Sequence, residues 1–203
     1  MTIRQLFGVI AGMRPLSEGT SPQTASASSV RRRLAGALTW MLFSSCLLGV
    51  ASAAANDLVV GKPAPPMTLT ALDGTRVATS DLRGKVVIVT FWATWCVPCR
   101  EELPLLSRYA QKHAHDGLVV LGFSLDTPDT LAEVRRLSAT LNFPVGLLGD
   151  PHVPGYGRIW RLPVSFTIDR NGLLQDNGWT DASPVWTAGR LERVVTPLLG
   201  QAR

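Results

Sequence analysis

Cysteine is scarce in this sequence, with only Cys46, Cys96 and Cys99 among its 203 residues. A small scaffold held together by disulfides needs a denser set, so that class of protein is excluded. Charged side chains are also few, at 17% of residues, whereas hydrophobic residues make up 46%. This balance excludes an intrinsically disordered chain and indicates a folded domain with a core of its own.

Basic charge is lacking where a nucleic-acid-binding domain would need it. The net charge is +5, but residues 1–55 hold five arginines and one glutamate, while residues 56–203 hold 15 basic and 14 acidic side chains. Binding to nucleic acid requires lysines and arginines clustered on the folded part of a protein. The nearly neutral remainder therefore excludes nucleic acid as a partner.

The basic excess belongs to a predicted export signal. The three arginines at 31–33 precede an uncharged apolar run over 34–55, which ends in small residues. This order is typical of a secretory signal peptide. The run is also long enough to span a bilayer if it is not cleaved, and both alternatives stay open. We predict a tail plus signal peptide or membrane anchor over 1–55 and an exported, periplasmic domain over 56–203, which contacts the membrane only through 34–55 if that run is retained.

Alternating strand and helix patterns over 56–203 predict one α/β domain. Predicted strands cover 67–71, 75–78, 85–92, 118–124, 145–148, 164–169 and 173–178, and predicted helices cover 98–115, the stretch from Thr127 to Leu141, and 184–199. The order requires parallel crossovers in the middle and an antiparallel pair at the end. We therefore expect a mixed central sheet with helices on both faces and an N-terminal β-hairpin extension.

Two cysteines separated by two residues lie where a buried strand meets a helix. Cys96 and Cys99 stand three positions apart in the first turn of that helix, which brings them close enough for a disulfide. The free N–H groups and the dipole of the helix N-terminus stabilise a thiolate at Cys96. Pro98 suits the first turn because its missing N–H is not needed there. The pattern predicts thiol–disulfide exchange, with Cys96 as the exposed nucleophile and Cys99 as the buried resolving thiol.

Metal and haem sites fit the cysteine pair poorly. A structural zinc site needs two more ligands at a suitable spacing, and the sequence has no second cysteine pair. Covalent haem attachment requires histidine directly after the second cysteine, where Arg100 stands. We expect neither a cofactor nor a resident metal.

Three motifs in order make the sequence similar to a known family. Residues 91–104 (FWATWCVPCREELP) contain the cysteine pair, residues 61–74 precede it with Gly-Lys-x-Ala-Pro and Asp-Gly, and residues 162–172 follow it with Leu-Pro-x-x-Phe-x-Ile-Asp and Gly. Residues 60–199 thus resemble the TlpA/ResA-like family of thioredoxin-fold thiol:disulfide oxidoreductases. The resemblance implies a thioredoxin fold outside the cytoplasm, disulfide-bearing or thiol substrate proteins (apocytochrome c for some members) and a membrane electron donor.

The resemblance also assigns roles around the pair. Pro163 matches the family's cis-proline, which lies beside the disulfide and contacts substrate backbone, and Leu162 would face the dithiol. Glu102 matches an acidic residue that many members use to tune the pair, although a surface glutamate also suits a first helical turn. Thr90 is a departure, because thioredoxins themselves place a buried acid six residues before the first cysteine. Glu102 is then the nearby carboxylate candidate for proton transfer to Cys99.

Four more side chains belong to the predicted surroundings of the site. Trp95 is expected in an exposed apolar rim where substrate proteins dock, with Pro98 in the same groove. Trp160 and Trp179 could belong either to such a rim or to the core, and the core is the preferred assignment. Pro98 between the cysteines also favours reduction of substrates over their oxidation, as in reducing thioredoxins.

Two other functions stay open. A thiol peroxidase resembling the peroxiredoxins would carry threonine three residues before the cysteine, where Ala93 stands. A copper-handling chaperone on the same fold would add a histidine to the pair, and His152 is the candidate. Two residues rather than three separate the cysteines, which argues against this second alternative.

Overall fold

The computed structural model describes residues 58–200. The predicted leader, including 34–55 and Cys46, lies outside the described residues. The strands are β1 (Thr68–Thr70), β2 (Arg76–Ala78), β3 (Val86–Trp92), β4 (Leu118–Ser124), β5 (Val145–Leu147), β6 (His152–Val153), β7 (Gly157–Arg158), β8 (Val164–Ile168) and β9 (Leu174–Asn177). The α-helices are α1 (Val97–Lys112), α2 (Leu131–Ser138), α3 (Ala188–Val194) and α4 (Thr196–Leu199), with 3-10 turns at Thr79–Leu82 and Pro128–Thr130. Within 58–200, no helix is long and apolar enough to cross a membrane.

The central sheet has five strands in the order β5-β4-β3-β8-β9. β3 lies in the middle, parallel to β4 and antiparallel to β8, while β4 is parallel to β5 and β8 is antiparallel to β9. Every residue of β3 and β8 is buried. Strands covered on both faces carry near-continuous apolar runs, which is why the sequence could predict them. The predicted mixed sheet is confirmed.

Side chains of the central strands alternate between two core clusters, one on each face of the sheet. The first cluster takes Val86, Ile88 and Trp92 from β3, and the second takes Val87, Val89 and Phe91. The second cluster is rich in aromatic contacts, with Phe91 stacked on Phe123 at 5.4 Å between ring centroids. The alternation fixes which side chains of β3 face the helices.

The α-helices pack on one face of the sheet. All of them contribute buried residues to the first cluster, among them Leu103, Leu106, Val134, Leu191 and Leu198. α1 connects β3 to β4 and α2 connects β4 to β5, so both crossovers step across the sheet in the same direction. Right-handed crossovers that step the same way place their helices on the same face. The expectation of helices on both faces is therefore met only in part, since the helical element that the second face receives among the described residues is the short 3-10 turn that ends at Leu82.

The N-terminal hairpin and the short β6-β7 ribbon cover the second face. The predicted hairpin is present as β1 and β2, and its Leu69 is fully buried in the second cluster. A Cβ atom at Gly146 of β5 would collide with the carbonyl oxygen of Thr70, so the contact between hairpin and sheet edge needs glycine there. The sequence did not predict β6 and β7, because strands of two residues carry no periodicity.

The C-terminal helix differs from its prediction. The sequence predicts one helix over 184–199, whereas the structure has an irregular segment up to Thr187, then α3 and α4 with a break at Val195. Pro197 accounts for the break, because a proline inside a helix lacks the N–H that would continue the hydrogen-bond ladder. The irregular segment places Trp186 in the core beside the cysteine motif.

Candidate active site

The cysteine pair lies at the N-terminus of α1, directly after the central strand β3. Cys96 is the N-cap residue of α1, and its sulfur accepts a hydrogen bond from the main-chain N–H of Cys99 at 3.3 Å. Pro98 is in the first turn, where no carbonyl needs its missing N–H. The helix terminus therefore supplies a donor to the sulfur that is expected to carry the thiolate.

The two cysteines form a disulfide, with 5.3 Å between their Cα atoms. Cys99 is completely buried, and Cys96 is 5% exposed. The expectation that Cys96 is an exposed thiol is therefore wrong for this oxidised form, because the disulfide holds its sulfur against the buried Cys99. Cys96 is still the more accessible of the two sulfur-bearing residues.

Pro163 is positioned beside the motif by the sheet register. β8 begins at Val164, which pairs with Phe91 near the end of β3, so the segment before β8 and the segment after β3 share one sheet edge. The Leu162–Pro163 peptide bond is cis. Leu162 is half-buried and packs against the core cluster that includes both cysteines. The structure thus brings Leu162 and Pro163 to the edge at which Cys96 lies.

Large apolar side chains are exposed at the same edge. Trp95 is 66% exposed and Val97 is 53% exposed, one on each side of Cys96. Trp160 is 71% exposed, so its assignment to the core is wrong. It stacks on the half-buried Trp179 with 5.7 Å between ring centroids, which covers one of its faces. Exposed apolar side chains therefore stand directly before and after Cys96 in the sequence.

Glu102 is a buried carboxyl group one helical turn after Cys99. It is 2% exposed, and positions three apart on a helix lie on the same side, so it shares the buried side of α1 with Cys99. Its Oε2 accepts a hydrogen bond from the main-chain N–H of Trp186 at 2.6 Å, while Oε1 has no hydrogen-bond partner within residues 58–200. Burial raises the pKa of Glu102 to about 7, although the Trp186 N–H and the Arg190 guanidinium lower it. The alternative of a surface glutamate is excluded by this burial.

A second buried carboxyl, Asp126, holds the segment that leads to the cysteines. Its oxygens accept hydrogen bonds from the N–H and hydroxyl of Thr94 at 2.8 and 2.6 Å, from the hydroxyl of Ser124 at 2.6 Å and from the hydroxyl of Thr130 at 3.4 Å. Thr94 lies two residues before Cys96. Asp126 therefore ties the end of β4 to the approach of the nucleophile.

A chain of neutral groups occupies the core at Thr90. The hydroxyl of Ser165 on β8 donates to the Thr90 hydroxyl oxygen at 2.9 Å, and the indole N–H of Trp186 donates to the Ser165 hydroxyl at 3.0 Å. Thr90 and Ser165 are cross-strand partners and both are fully buried. These hydrogen bonds connect Thr90 on the central strand to Trp186, whose main-chain N–H donates to Glu102.

Sequence reasoning identified the cysteines, Glu102 and the segment of Pro163, but it missed three buried polar participants. Asp126 follows the parallel strand β4 at the edge where Cys96 follows β3, and an acid at that edge is a signal that could have been used. Ser165 is a polar residue inside an apolar run, which is a weaker signal. Nothing in the sequence pattern indicated Trp186.

Metal ligands do not gather around the cysteines in the part of the chain that the structure describes. Among residues 58–200, no group of three or more His, Cys, Asp or Glu side chains could hold a metal ion. His152 lies exposed on β6, paired with β7. The histidine required by the copper-chaperone alternative is therefore not part of a ligand cluster with the pair.

Comparison with known proteins supports a redox role for this geometry. Residues 60–176 match the model of the AhpC/TSA family. A thiol-disulfide oxidoreductase ResA of Bacillus cereus is 30% identical over 139 residues, which cover 68% of this chain and 80% of the relative. The thioredoxin-like protein YneN of Bacillus subtilis is 32% identical over 124 residues, covering 57% of this chain and 69% of the relative.

Solved structures show the same fold. The crystal structure of a thiol:disulfide interchange protein of the thioredoxin family from Chlorobium tepidum TLS has a TM-score of 0.58 and 26% sequence identity, and the match covers 68% of this chain and 97% of that chain. The expected thioredoxin fold is therefore confirmed.

Proposed function

The chain belongs to the AhpC/TSA family and is a thiol-disulfide oxidoreductase of the thioredoxin fold; from that premise we propose that it reduces disulfides in extracytoplasmic proteins through the Cys96–Cys99 dithiol. The observation that carries this proposal is the cysteine pair at the N-terminus of α1, where a backbone N–H donates to the sulfur of Cys96. This arrangement favours a thiolate at the outer cysteine.

The reaction is a two-step exchange. The Cys96 thiolate attacks one sulfur of the substrate disulfide, so that a mixed disulfide forms and the first substrate thiolate leaves and takes up a proton. Cys99 then loses its proton and attacks the Cys96 sulfur, which releases the second substrate thiolate and leaves the Cys96–Cys99 disulfide. A dithiol donor must return two electrons and two protons to regenerate the reduced pair.

Glu102 is proposed as the acceptor of the Cys99 proton. The acceptor must be in the carboxylate form near neutral pH and must also release the proton again, and a pKa of about 7 meets both conditions. Oε1, which has no partner among the described residues, leaves room for such a proton. Thr90, fully buried on the neighbouring strand, has a hydroxyl that does not titrate in this range and cannot take over this role.

The substrate-binding groove is proposed to consist of Leu162, Pro163, Trp95 and Pro98. Leu162 and Pro163 lie at the sheet edge where Cys96 follows β3, and Trp95 and Pro98 flank the cysteines in sequence. The exposed indole of Trp95 offers apolar area to a partner protein together with one hydrogen-bond donor.

Export and partners are also part of the proposal. The arginine cluster and apolar run before residue 56 support transfer out of the cytoplasm, as a cleaved signal or a retained anchor. Disulfide-bearing or thiol proteins are the proposed substrates, with apocytochrome c among them on the strength of the resemblance over 60–199. A membrane protein that carries a dithiol is the proposed electron donor.

The test is insulin-disulfide reduction by the full chain with single cysteine replacements. Cys96→Ser is expected to abolish activity, because no nucleophile remains to open the substrate disulfide. Cys99→Ser is expected to accumulate mixed disulfides, because the second step is lost. Cys46→Ser, the third cysteine of the chain, is the matched control and is expected to keep full activity. Retained activity in Cys96→Ser would refute the proposal.

The direction of the exchange is tested by the reduction potential of the pair. A value near about −270 mV, typical of thioredoxin, supports the reductase. A value near about −120 mV, typical of strong oxidants, would assign the protein to disulfide formation instead.

A further inference from the structure

We propose that Trp186 is a positioning residue for Glu102: its main-chain N–H holds one carboxyl oxygen, while its indole is anchored through Ser165 to Thr90 on the central strand. The inference rests on the proposed role of Glu102 as proton acceptor. It adds that the C-terminal part of the chain sets the protonation behaviour of the site.

The geometry of Trp186 gives it two separate tasks. The main-chain N–H donates to Oε2 of Glu102 at 2.6 Å, and the indole N–H donates to the Ser165 hydroxyl at 3.0 Å. Trp186 is 2% exposed, so both bonds are shielded from water, where a hydrogen bond to a charged group counts most. The indole bond fixes the position from which the main-chain bond is made.

The segment that carries Trp186 has no regular structure, so side-chain anchors decide where it lies. Residues 178–187 connect β9 to α3 without belonging to a helix or strand. One anchor is Arg190, whose guanidinium lies over the Trp186 ring at 3.9 Å from its centroid and donates to the carbonyl of Pro184 at 3.0 Å. Another is the indole bond to Ser165, which joins the segment to the sheet.

Trp186 also lies against the cation that acts on Glu102. Arg190 of α3 is the cation that lowers the pKa of Glu102, and it forms ion pairs with Asp176 of β9 at 2.6 Å and with Asp181 of the irregular segment at 2.9 Å. On α1 itself, the neighbouring Cys99 is held in the disulfide. Because the guanidinium stacks on the Trp186 ring, a shift of the ring moves the cation as well.

The chain of hydroxyls explains how the core tolerates Thr90. Thr90 and Ser165 are buried polar groups on strands with no exposed residue, and each would destabilise the fold if left unpaired. They pair with each other, and the indole N–H completes the chain. The neutral hydroxyls of Thr90 and Ser165 thus hold Trp186 in place, and Trp186 in turn binds the titratable Glu102 on α1.

Weakening the indole anchor is expected to raise the pKa of Glu102 further. Both the Trp186 N–H and Arg190 favour the charged carboxylate, so loosening either one removes part of that stabilisation. The shift should be about one pH unit upward, the size expected when one hydrogen bond to a charged group is weakened.

The experiment compares Trp186→Phe with Trp179→Phe in the full, oxidised chain. Both variants lose one indole hydrogen bond, but that of Trp179 is partly buried and goes to the carbonyl of Tyr156 instead of the Ser165 hydroxyl. The readout is the titration of the Glu102 carboxyl carbon by carbon-13 NMR, assigned by its loss in Glu102→Gln. We expect an upward shift in Trp186→Phe and none in Trp179→Phe. An unchanged or lower midpoint in Trp186→Phe overturns the proposal, and so does an equal shift in both variants.

Three milder variants keep the test decisive if Trp186→Phe does not fold. Ser165→Ala removes the hydroxyl between indole and strand and should raise the midpoint in the same direction. Thr90→Val should shift it less, and Thr90→Ser, which keeps the hydroxyl, should restore the wild-type midpoint. No shift in Ser165→Ala refutes the anchor.

Different results would contradict the role of Glu102 as proton acceptor and the role of Trp186 as its positioning residue. If Glu102→Gln reduces insulin at the wild-type rate and with the wild-type pH profile, Glu102 is not the proton acceptor. The carboxyl titration still measures whether Trp186 positions it, because that readout does not depend on turnover.

Discussion

Two nearly buried carboxyl groups flank the cysteine pair, and they differ in how well they are satisfied. Asp126 follows β4 and binds Thr94, which precedes the cysteines in sequence. It accepts four hydrogen bonds from Thr94, Ser124 and Thr130. Glu102, after the motif, accepts one from Trp186 and keeps one oxygen without a partner in the described residues. A carboxylate has about four lone-pair sites, so Asp126 is fully occupied and Glu102 is not.

The number of hydrogen bonds that each carboxyl group accepts distinguishes the structural role of Asp126 from the proposed proton-accepting role of Glu102. A fully hydrogen-bonded carboxylate stabilises the loop that it binds. A carboxyl that is buried with one donor has a raised pKa and can exchange a proton near neutral pH. One buried acid thus holds Thr94, and the other is the proposed proton acceptor beside Cys99.

The largest expected effect is on the pH dependence of stability. The pKa of Glu102 rises from 4.5 to about 7 on folding, so the folded state holds the extra proton. Its stabilising contribution is fully present below about pH 4.5 and is lost as pH rises through about 7. The loss amounts to about 3 kcal/mol. Urea unfolding at pH 5 and pH 8 measures it, and Glu102→Gln should remove this difference. Equal pH dependence in both proteins would contradict the assignment.

The next effect is on the rate of the second exchange step. Glu102→Gln keeps the shape of the side chain but cannot accept the Cys99 proton, so closure of the disulfide should slow by about a hundredfold. Single-turnover reduction of insulin, quenched by acid and followed by mass spectrometry of the mixed disulfide, measures this step. The exposed neighbour Glu101 provides the matched control as Glu101→Gln. A mixed disulfide that decays at the wild-type rate in Glu102→Gln would show that another group takes the proton.

Asp126→Asn tests whether Asp126 stabilises the fold through its hydrogen bonds. The amide replaces an acceptor oxygen by a donor that faces the N–H or hydroxyl of Thr94, so unfolding should become easier by about 2 kcal/mol. The decrease of stability between pH 5 and pH 8 should remain, because it belongs to Glu102. If Asp126→Asn instead removed that pH dependence, the roles of the two acids would be reversed.

The smallest expected effect is on docking of substrate proteins. Trp95→Ala removes an exposed indole beside Cys96 and should raise KM for insulin by roughly fivefold, since rim residues contribute about 1 kcal/mol. Reduction of a small disulfide, which does not reach the rim, should be unchanged. Trp160→Ala is the comparison variant, because Trp160 is equally exposed before Pro163. A fall in the rate with the small disulfide would place Trp95 in the chemistry instead.

Much of the fold could be predicted because the buried strands carry their own signal. β3 and β4 are largely apolar runs that each begin shortly after a glycine, and their predicted limits differ from the observed ones by a residue at most. The cysteine pair could be predicted because its spacing and helix-terminal position define the chemistry. Features that depend on distant parts of the chain could not be predicted.

Glu102 illustrates the limit. Its position in the motif suggested a role, but its raised pKa depends on Trp186, 84 residues away in sequence, and on Arg190. The exposure of Trp160 likewise depends on its stacking partner Trp179, which covers one face and leaves the other open. Contacts between residues so far apart in the chain produce no periodic pattern in the sequence.

Glu102 is a buried acid one helical turn from Cys99, and its pKa is expected to lie near neutral pH. Carbon-13 NMR titration of its carboxyl carbon in the oxidised full chain tests this directly, with Glu102→Gln for assignment. We expect a midpoint at about pH 7. A midpoint near 4.5, the ordinary value for glutamate, would contradict it.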